Sequence, residues 1–233
     1  MSGALDVLYC DNHLLVVSKP AGMPTVPDAS GDASLLDLAR EWVRAEFAKP
    51  GAAFVGVVHR LDRPVSGVVA LARTSKAAAR LSAQWRARAA HKIYWAVGER
   101  RGVRRAARAG VVDHWLAKDE RKNRVRVVAE GAPGARRAIT RWRVLERAEG
   151  RTLYELAPAT GRPHQLRACA AALGTPLLGD LKYGAREPLA DKSIALHARE
   201  LEIEHPTRRE QMLFRAPPPR GPAWDFAICR RAR

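Results

Sequence analysis

Leu14-Leu15-Val16-Val17 is an apolar, partly β-branched run that Lys19-Pro20-Ala21-Gly22 brings to an end. That pattern predicts a strand entering a turn. Leu35, Leu36, Leu38, Trp42 and Val43 follow Asp32-Ala33-Ser34 at helical spacing, which predicts an amphipathic helix capped by the Asp or the Ser. Residues 54–58 and 67–71 predict two buried strands, separated by the polar insert His59-Arg60-Leu61-Asp62-Arg63-Pro64-Val65-Ser66. Ser75 opens a second helix, with Ala79, Leu81 and Trp85 inward and Lys76, Arg80, Arg86 and Arg88 outward. Residues 92–97 return to strand alternation. Residues 139–145 and 153–156 predict a strand pair joined at Glu149-Gly150. A helix over 165–173 stops at Gly174, a residue suited to the left-handed turn that ends helices. Residues 216–222, with four prolines, predict an extended segment before a short tail. Strands and helices mix without strict βαβ alternation, which predicts a mixed sheet flanked by helices. No repeat is visible and no linker is long or polar enough to separate domains, so a single domain over 1–233 is expected.

Composition narrows the class. At 233 residues, 47% apolar and 28% charged, the chain can bury a sizeable core, which excludes global disorder. The formal charge of +17 argues against an ordinary neutral metabolic enzyme and for a polyanionic partner. The excess is local: from Arg86 to Arg147 there are 18 Lys or Arg against 6 Asp or Glu, a surplus of 12 of the 17. One reading is a solvated arginine-rich surface; the other is a polyanion-binding face whose field acts on phosphates. Cys10, Cys169 and Cys229 are far apart and odd in number, offering neither a disulfide framework nor a metal clip, so a reducing cytoplasm is expected. Met1 to Cys10 lack the pattern of a signal peptide, and the most apolar long window, residues 54–72, contains His59, Arg60, Asp62 and Arg63, so no membrane association is expected.

Two loops carry candidate chemistry. The first holds one carboxylate, Asp62, between Arg60 and Arg63. Neighbouring positive charge keeps a carboxylate ionised, and an ionised Asp is a nucleophile or a base; a surface ion pair is the alternative. The second, Thr160-Gly161-Arg162-Pro163-His164-Gln165-Leu166-Arg167, gathers hydrogen-bonding side chains where a helix begins, a place that favours anions; capping and loop packing are the alternative for His164 and Gln165. No GxGxxG, no P-loop and no clustered His/Cys set is present.

Taken together, these segments resemble the RluA-type family of RNA pseudouridine synthases. His59-Arg60-Leu61-Asp62-Arg63-Pro64-Val65-Ser66-Gly67 resembles the catalytic signature, Lys92-Ile93-Tyr94 a second motif, and Gly161 to Arg167, followed by Leu173-Gly174 and Gly179-Asp180-Leu181-Lys182-Tyr183-Gly184, a third. Asp11 to Gly22 and Leu196-His197-Ala198 resemble further landmarks, in family order over nearly the whole chain. Val65 and Pro163 stand where Thr, and Ser or Thr, are commoner; neither change removes a reactive group.

The resemblance implies an α+β catalytic fold with a mostly antiparallel central sheet, and no separate N-terminal RNA-binding domain. It implies isomerisation of uridine in structured ribosomal or transfer RNA to pseudouridine, with no cofactor and no metal. Asp62 is the implied essential carboxylate, either attacking C1′ or removing the C2′ proton to give a glycal. Arg167 is implied to pair with it, and Tyr94 to stack on the target base. Arg60 is implied either to fill the space of the everted base or to contact phosphate, and Arg63, Lys92, Arg162, His164 and Gln165 are further implied substrate contacts. The stretch from Arg100 to Arg137 is the expected place of substrate selection. RNA is the expected partner, with no obligate protein partner, and a monomer is expected. Two other classes fit the basic charge: a catalytically silent RNA-binding or ribosome-assembly protein, and a hydrolase using Asp62 as base, for which no second carboxylate or metal set is visible.

Overall fold

The structure is a computed structural model and describes residues 5–48, 50–100, 107–121, 123–148 and 150–233. Residues 101–106 and Lys122, within the expected substrate-selecting stretch, and Glu149 of the expected strand junction lie outside the described residues. The chain forms two compact units: residues 1–91 with 198–216, and residues 92–197 with 217–233. Its class is α+β with mostly antiparallel strands, as the resemblance implied.

In the first unit, β1 (Asp6–Cys10) pairs antiparallel with β2 (Leu14–Lys19). Ser34 caps α1 (Leu35–Glu46) in a reciprocal box: its hydroxyl accepts from the Asp37 N–H, and the Asp37 carboxylate accepts from the Ser34 N–H. Leu35, Ala39 and Val43, spaced one helical turn apart, form the buried stripe of α1.

The expected strand over 54–58 is reduced to β3 (Gly56–Val57), and Phe54 is 48% exposed. The second expected strand is β4 (Ser66–Ala72), buried throughout and antiparallel to β2 and β3. Thr74 caps α2 (Ser75–Ala87). Here Ala79 is exposed, not inward as expected; Ala77 and Leu81, four residues apart, form the buried seam.

In the second unit, β5 (His91–Glu99) pairs with β9 (Arg151–Pro158). Before β9 in the chain come β6 (Ala109–Asp119), β7 (Arg124–Val128) and β8 (Arg136–Ala148), and the order across the sheet is β5-β9-β8-β6-β7. The expected pair around Glu149-Gly150 is β8 and β9, longer than the apolar runs alone marked. The helix expected over 165–173 is α3 (Gln165–Ala172), followed by Leu173 and by Gly174 at φ +72°. A 3-10 turn occupies Leu181–Tyr183.

Next, β10 (Leu196–Glu204) carries the chain across the unit boundary, and its Ala198–Glu204 part lies beside β4 in the first unit. β11 (Gln211–Arg215) pairs antiparallel with β10. Leu14, Val16, Val68, Ala70, Leu81, Leu201 and Ile203 form that unit's core. The tail returns to the second unit and adds α4 (Ala227–Arg231), whose Cys229 packs with Trp224, Phe226, Trp95 and Val97. Among the described residues, no helix is long and apolar enough to cross a membrane.

Candidate active site

The loop of residues 59–66 joins β3 to β4, and it is fixed residue by residue. His59 Nε2 accepts from the Ala70 N–H at 2.9 Å, and its ring stacks on Trp85 with centroids 4.5 Å apart. An imidazole nitrogen that accepts carries no proton, so His59 is held as an acceptor and an aromatic plug. Leu61 and Val65 are buried on either side of the half-buried Asp62. Thr25 Oγ1 donates to the Leu61 carbonyl at 2.8 Å and accepts from the Leu61 N–H at 3.2 Å, satisfying both backbone groups of the residue before Asp62. The Val65 N–H donates to the Asp62 carbonyl at 3.0 Å and closes a turn.

On the other side of Asp62, the Arg63 carbonyl accepts from the Gly22 N–H at 2.8 Å, and Arg63 Nε donates to the Gly22 carbonyl at 2.9 Å. The Arg63 guanidinium also pairs with Asp32 and reaches Asp28 at 3.7 Å. Arg63 is thus engaged with the loop before α1, while Arg60 is exposed.

Lys19 lies beneath this loop and is wholly buried. Its ammonium donates to the carbonyls of Pro20 at 2.8 Å, Met23 at 2.7 Å and Arg63 at 3.3 Å. Burial pushes its pKa down to about 7; the Asp62 charge opposes that shift and the Arg63 charge adds to it. Lys19, Gly22 and Thr25 together attach the Asp62 loop to the 19–25 segment on both flanks of the carboxylate.

The other candidates stand on the second unit. On β5, Lys92 is half-buried and burial pushes its ammonium down. Tyr94 is half-buried, in register with Leu156 of β9. At the head of α3, His164 adopts the left-handed conformation at φ +50°. Gln165 is buried: its amide oxygen accepts from the Thr160 hydroxyl at 2.8 Å and the Arg162 N–H at 3.0 Å, and its NH₂ donates to the Ile139 carbonyl at 2.9 Å and to Thr140 Oγ1 at 3.0 Å. These four bonds use the whole capacity of the amide, so Gln165 stitches the loop to β8. Arg162 Nε donates to the Arg137 carbonyl at 3.1 Å.

Arg167 is buried in the first turn of α3, and its Nε and Nη2 fork onto the two carboxylate oxygens of Asp180, each at 2.7 Å. Tyr183 lies beside the pair, with Arg167 Cζ 4.9 Å from its ring centroid. The Tyr183 oxygen accepts from the Val125 N–H at 2.8 Å and is hydrogen-bonded to His164 Nδ1 at 3.0 Å. Burial pushes the Tyr183 phenol up. Among the described residues, no cluster of three His, Cys, Asp or Glu is placed to hold a metal ion.

Reasoning from sequence did not assign Thr25, Asp180 or Tyr183 to a site. Thr25 had no signal to give, since a lone Thr in a loop is ordinary. Asp180 and Tyr183 did have one: a carboxylate and a phenol closed between two glycines.

Comparison with known proteins places these residues in context. The family described as RNA pseudouridylate synthase matches residues 13–172. Ribosomal large subunit pseudouridine synthase D of Pseudomonas aeruginosa is 33% identical, over 98% of this chain and 73% of its own. Dual-specificity RNA pseudouridine synthase RluA of Haemophilus influenzae is 35% identical, over 91% of this chain and 92% of its own. Among solved structures, human RNA Pseudouridylate Synthase Domain Containing 4 superposes with a TM-score of 0.75 at 26% identity, covering 92% of this chain and 89% of that one.

Proposed function

We propose that this chain, which belongs to the RNA pseudouridylate synthase family, isomerises a uridine of structured ribosomal or transfer RNA through the carboxylate of Asp62. It is an RNA pseudouridine synthase, an isomerase acting on RNA. The observation that carries the assignment of Asp62 is the attachment of its loop: Thr25 holds Leu61 on one side, and Gly22 and Lys19 hold Arg63 on the other. A loop anchored on both sides of a single half-buried carboxylate has the rigidity that covalent or base catalysis requires.

In this reading the C1′–N1 bond of the target uridine breaks, the uracil turns, C5 bonds to C1′, and the C5 proton is lost while N1 gains one. No atom is gained or lost overall, so the reaction calls for no redox partner. Asp62 either takes the C1′ bond or removes the C2′ proton. In the same reading Arg167 has the role of cationic partner to Asp62. Tyr94 stacks on the base, as an aromatic face recognises any base without its pairing edge. Reaching C1′ inside folded RNA requires the nucleotide to leave its stack, at a cost of a few kcal/mol. Exposed Arg60 either fills the vacated space or holds phosphate, and Lys92 and Arg162 contact the RNA backbone. His164 is held by Tyr183 close to these groups in the chain, and Gln165 acts by fixing the loop that carries them. The enzyme works as a monomer.

The test is tritium release from C5-tritiated uridine transcripts. Asp62→Asn abolishes release while RNA affinity stays within a few-fold. Turnover retained in that variant removes Asp62 from the mechanism, and binding without release by the unaltered protein supports the silent RNA-binding reading.

A further inference from the structure

Two departures from the expected pattern, exposed Phe54 and exposed Ala79, fall on the same surface of the first unit. α2 packs on β3 and β4 through the seam of Ala77 and Leu81. On its other side Lys76, Ala79, Ala83 and Arg86, spaced three, four and three residues apart, form one exposed stripe. Arg88 follows, exposed, at the left-handed cap. No Asp or Glu occurs from Thr74 to Arg88. Among the described residues, no ion pair engages Lys76, Arg80, Arg86 or Arg88.

Both flanks and one end of the stripe are fixed. On one flank a Cβ on Gly56 would meet Ala78 Cβ at 3.1 Å and the Phe54 ring at 3.4 Å, so the aromatic ring and the helix lie against the same bare glycine. On the other, Arg80 Nη1 donates to the Pro206 carbonyl at 2.7 Å. Gln84 Nε2 donates to the Glu204 carbonyl at 2.8 Å, and its Oε1 accepts from the Glu204 N–H at 3.0 Å. At the C-terminal end Trp85 stacks on His59 of the loop that carries Asp62.

This charge works against the isolated helix. Lys76 stands in the first turn, where the aligned peptide dipoles disfavour a cation, and Arg80, four residues on, repels it. An anion laid along the stripe reverses both effects. The alanines at its centre let a sugar-phosphate backbone approach closely, and an exposed ring beside a cationic track is the arrangement that grips unpaired nucleotides. A lipid surface calls instead for large apolar side chains along the stripe, where this one has alanines.

We propose that this face of α2 holds an unpaired segment of the substrate RNA other than the target nucleotide, with Lys76, Arg86 and Arg88 on its phosphates and Phe54 against one of its bases. This rests on RNA being the substrate and not on the role of Asp62.

The test compares two double charge reversals of equal size: Lys76→Glu with Arg86→Glu on α2, and Arg40→Glu with Arg44→Glu at exposed positions of α1. The probes are an unmodified large-subunit ribosomal RNA transcript and a short oligouridylate, bound on filters over a range of salt. The α2 variant should bind both at least about tenfold more weakly. Its slope of log affinity against log salt should fall by about 1.4–1.8, two phosphates at about 0.7–0.9 each. The α1 variant should stay within about threefold of wild type, with its slope unchanged. Phe54→Ala should weaken binding about tenfold and leave the slope alone, because a stacked ring carries no charge. In all three the single-turnover rate of tritium release at saturating protein should stay within about twofold of wild type.

Wild-type affinity and slope in the α2 variant overturn the inference, and so do equal losses in the α1 and α2 variants, which would make overall charge the cause. If the glutamates prevent folding, Lys76→Gln with Arg86→Gln decides in their place, with the same fall in slope expected. Tritium release retained by Asp62→Asn would sink the reading of that carboxylate and leave this surface standing; a wild-type slope in the α2 variant sinks the surface alone.

Discussion

Lys19 is a residue whose environment decides its role. A lysine ammonium has three donors and no acceptor, and here three carbonyls, those of Pro20, Met23 and Arg63, accept from the wholly buried side chain. One of the three lies next to Asp62. Lys19→Met keeps the volume and removes the donors, leaving buried acceptors without partners. The expected loss is about 3–5 kcal/mol of unfolding free energy in urea titration, accompanied by loss of isomerisation. A loss under 1 kcal/mol would show that the ammonium is not what holds the loop. At this scale the sequence marked the candidate carboxylate and concealed its supports. Asp62 stands out because it is a lone carboxylate among arginines. His59 is fixed by contacts the sequence does not show: it accepts from the Ala70 N–H and stacks on Trp85. Long-range pairings such as Thr25 with Leu61 leave no trace in local pattern.

Among the elements, β4 illustrates why a glycine stands directly after the polar loop. A Cβ on Gly67 would lie 2.3–2.7 Å from the backbone O, N and C of Ala198 in β10, and φ is +118°. Gly67→Ala therefore has to push two central strands apart. It is expected to cost more than about 4 kcal/mol, read as insoluble protein or a large fall in urea midpoint. Gly22 offers the contrast: its φ is +84°, but nothing lies within 4 Å of a Cβ there. Gly22→Ala carries only backbone strain, about 1–2 kcal/mol. Equal effects at the two positions would mean that strand approach is not the cause.

The elements legible in advance, β2, α1, β5 and α3, have a strong apolar period and a distinct cap or stop. β3 was overread because Phe54 is apolar yet exposed, and the chain spends only two residues in the ladder. β7 was not marked as a strand because arginines alternate through it, as in Arg124-Val125-Arg126, where Val125 alone is buried. On a sheet with one solvated face, such residues are the outward half of a strand.

At the scale of the molecule, charge governs both stability and binding. Asp11 joins the β1–β2 turn to the β10–β11 turn of its unit through His205 at 2.8 Å. Burial alone would raise its carboxyl, but the N–H groups of His13 and Leu14, with the Tyr9 hydroxyl and His205, outweigh burial and hold it at about 2. A depressed carboxyl favours the folded state above its unfolded pKa, and that advantage disappears as pH falls through the folded value. For Asp11 it is worth about 2 kcal/mol above pH 4 and fades between about pH 4 and pH 2. The stability gap between wild type and Asp11→Asn should narrow by that amount across this window in urea titrations. A gap independent of pH would show that hydrogen bonding to the amide replaces the charge.

The same arithmetic applied to the surface predicts how the enzyme holds RNA. The excess of positive charge is concentrated between Arg86 and Arg147. Part of it is already matched within the protein: Arg137 pairs with Asp113 at 2.6 Å and Arg143 with Glu155 at 2.7 Å. Exposed arginines of this stretch that contact phosphates would displace counterions from RNA on binding. Each phosphate neutralised contributes about 0.7–0.9 to the slope of log affinity against log salt. A slope steeper than about −3 is therefore expected for a structured transcript, which corresponds to four or more phosphates. Arg137→Ala should leave that slope unchanged, because removing a cation already paired with Asp113 releases no additional counterion. Arg141→Ala, which removes an exposed arginine from the same strand, should reduce the slope by about 0.7–0.9. Filter-binding titrations at 50–300 mM potassium chloride read both effects, and a shallow slope in the wild-type protein would show that RNA is held by shape and stacking rather than by this charge.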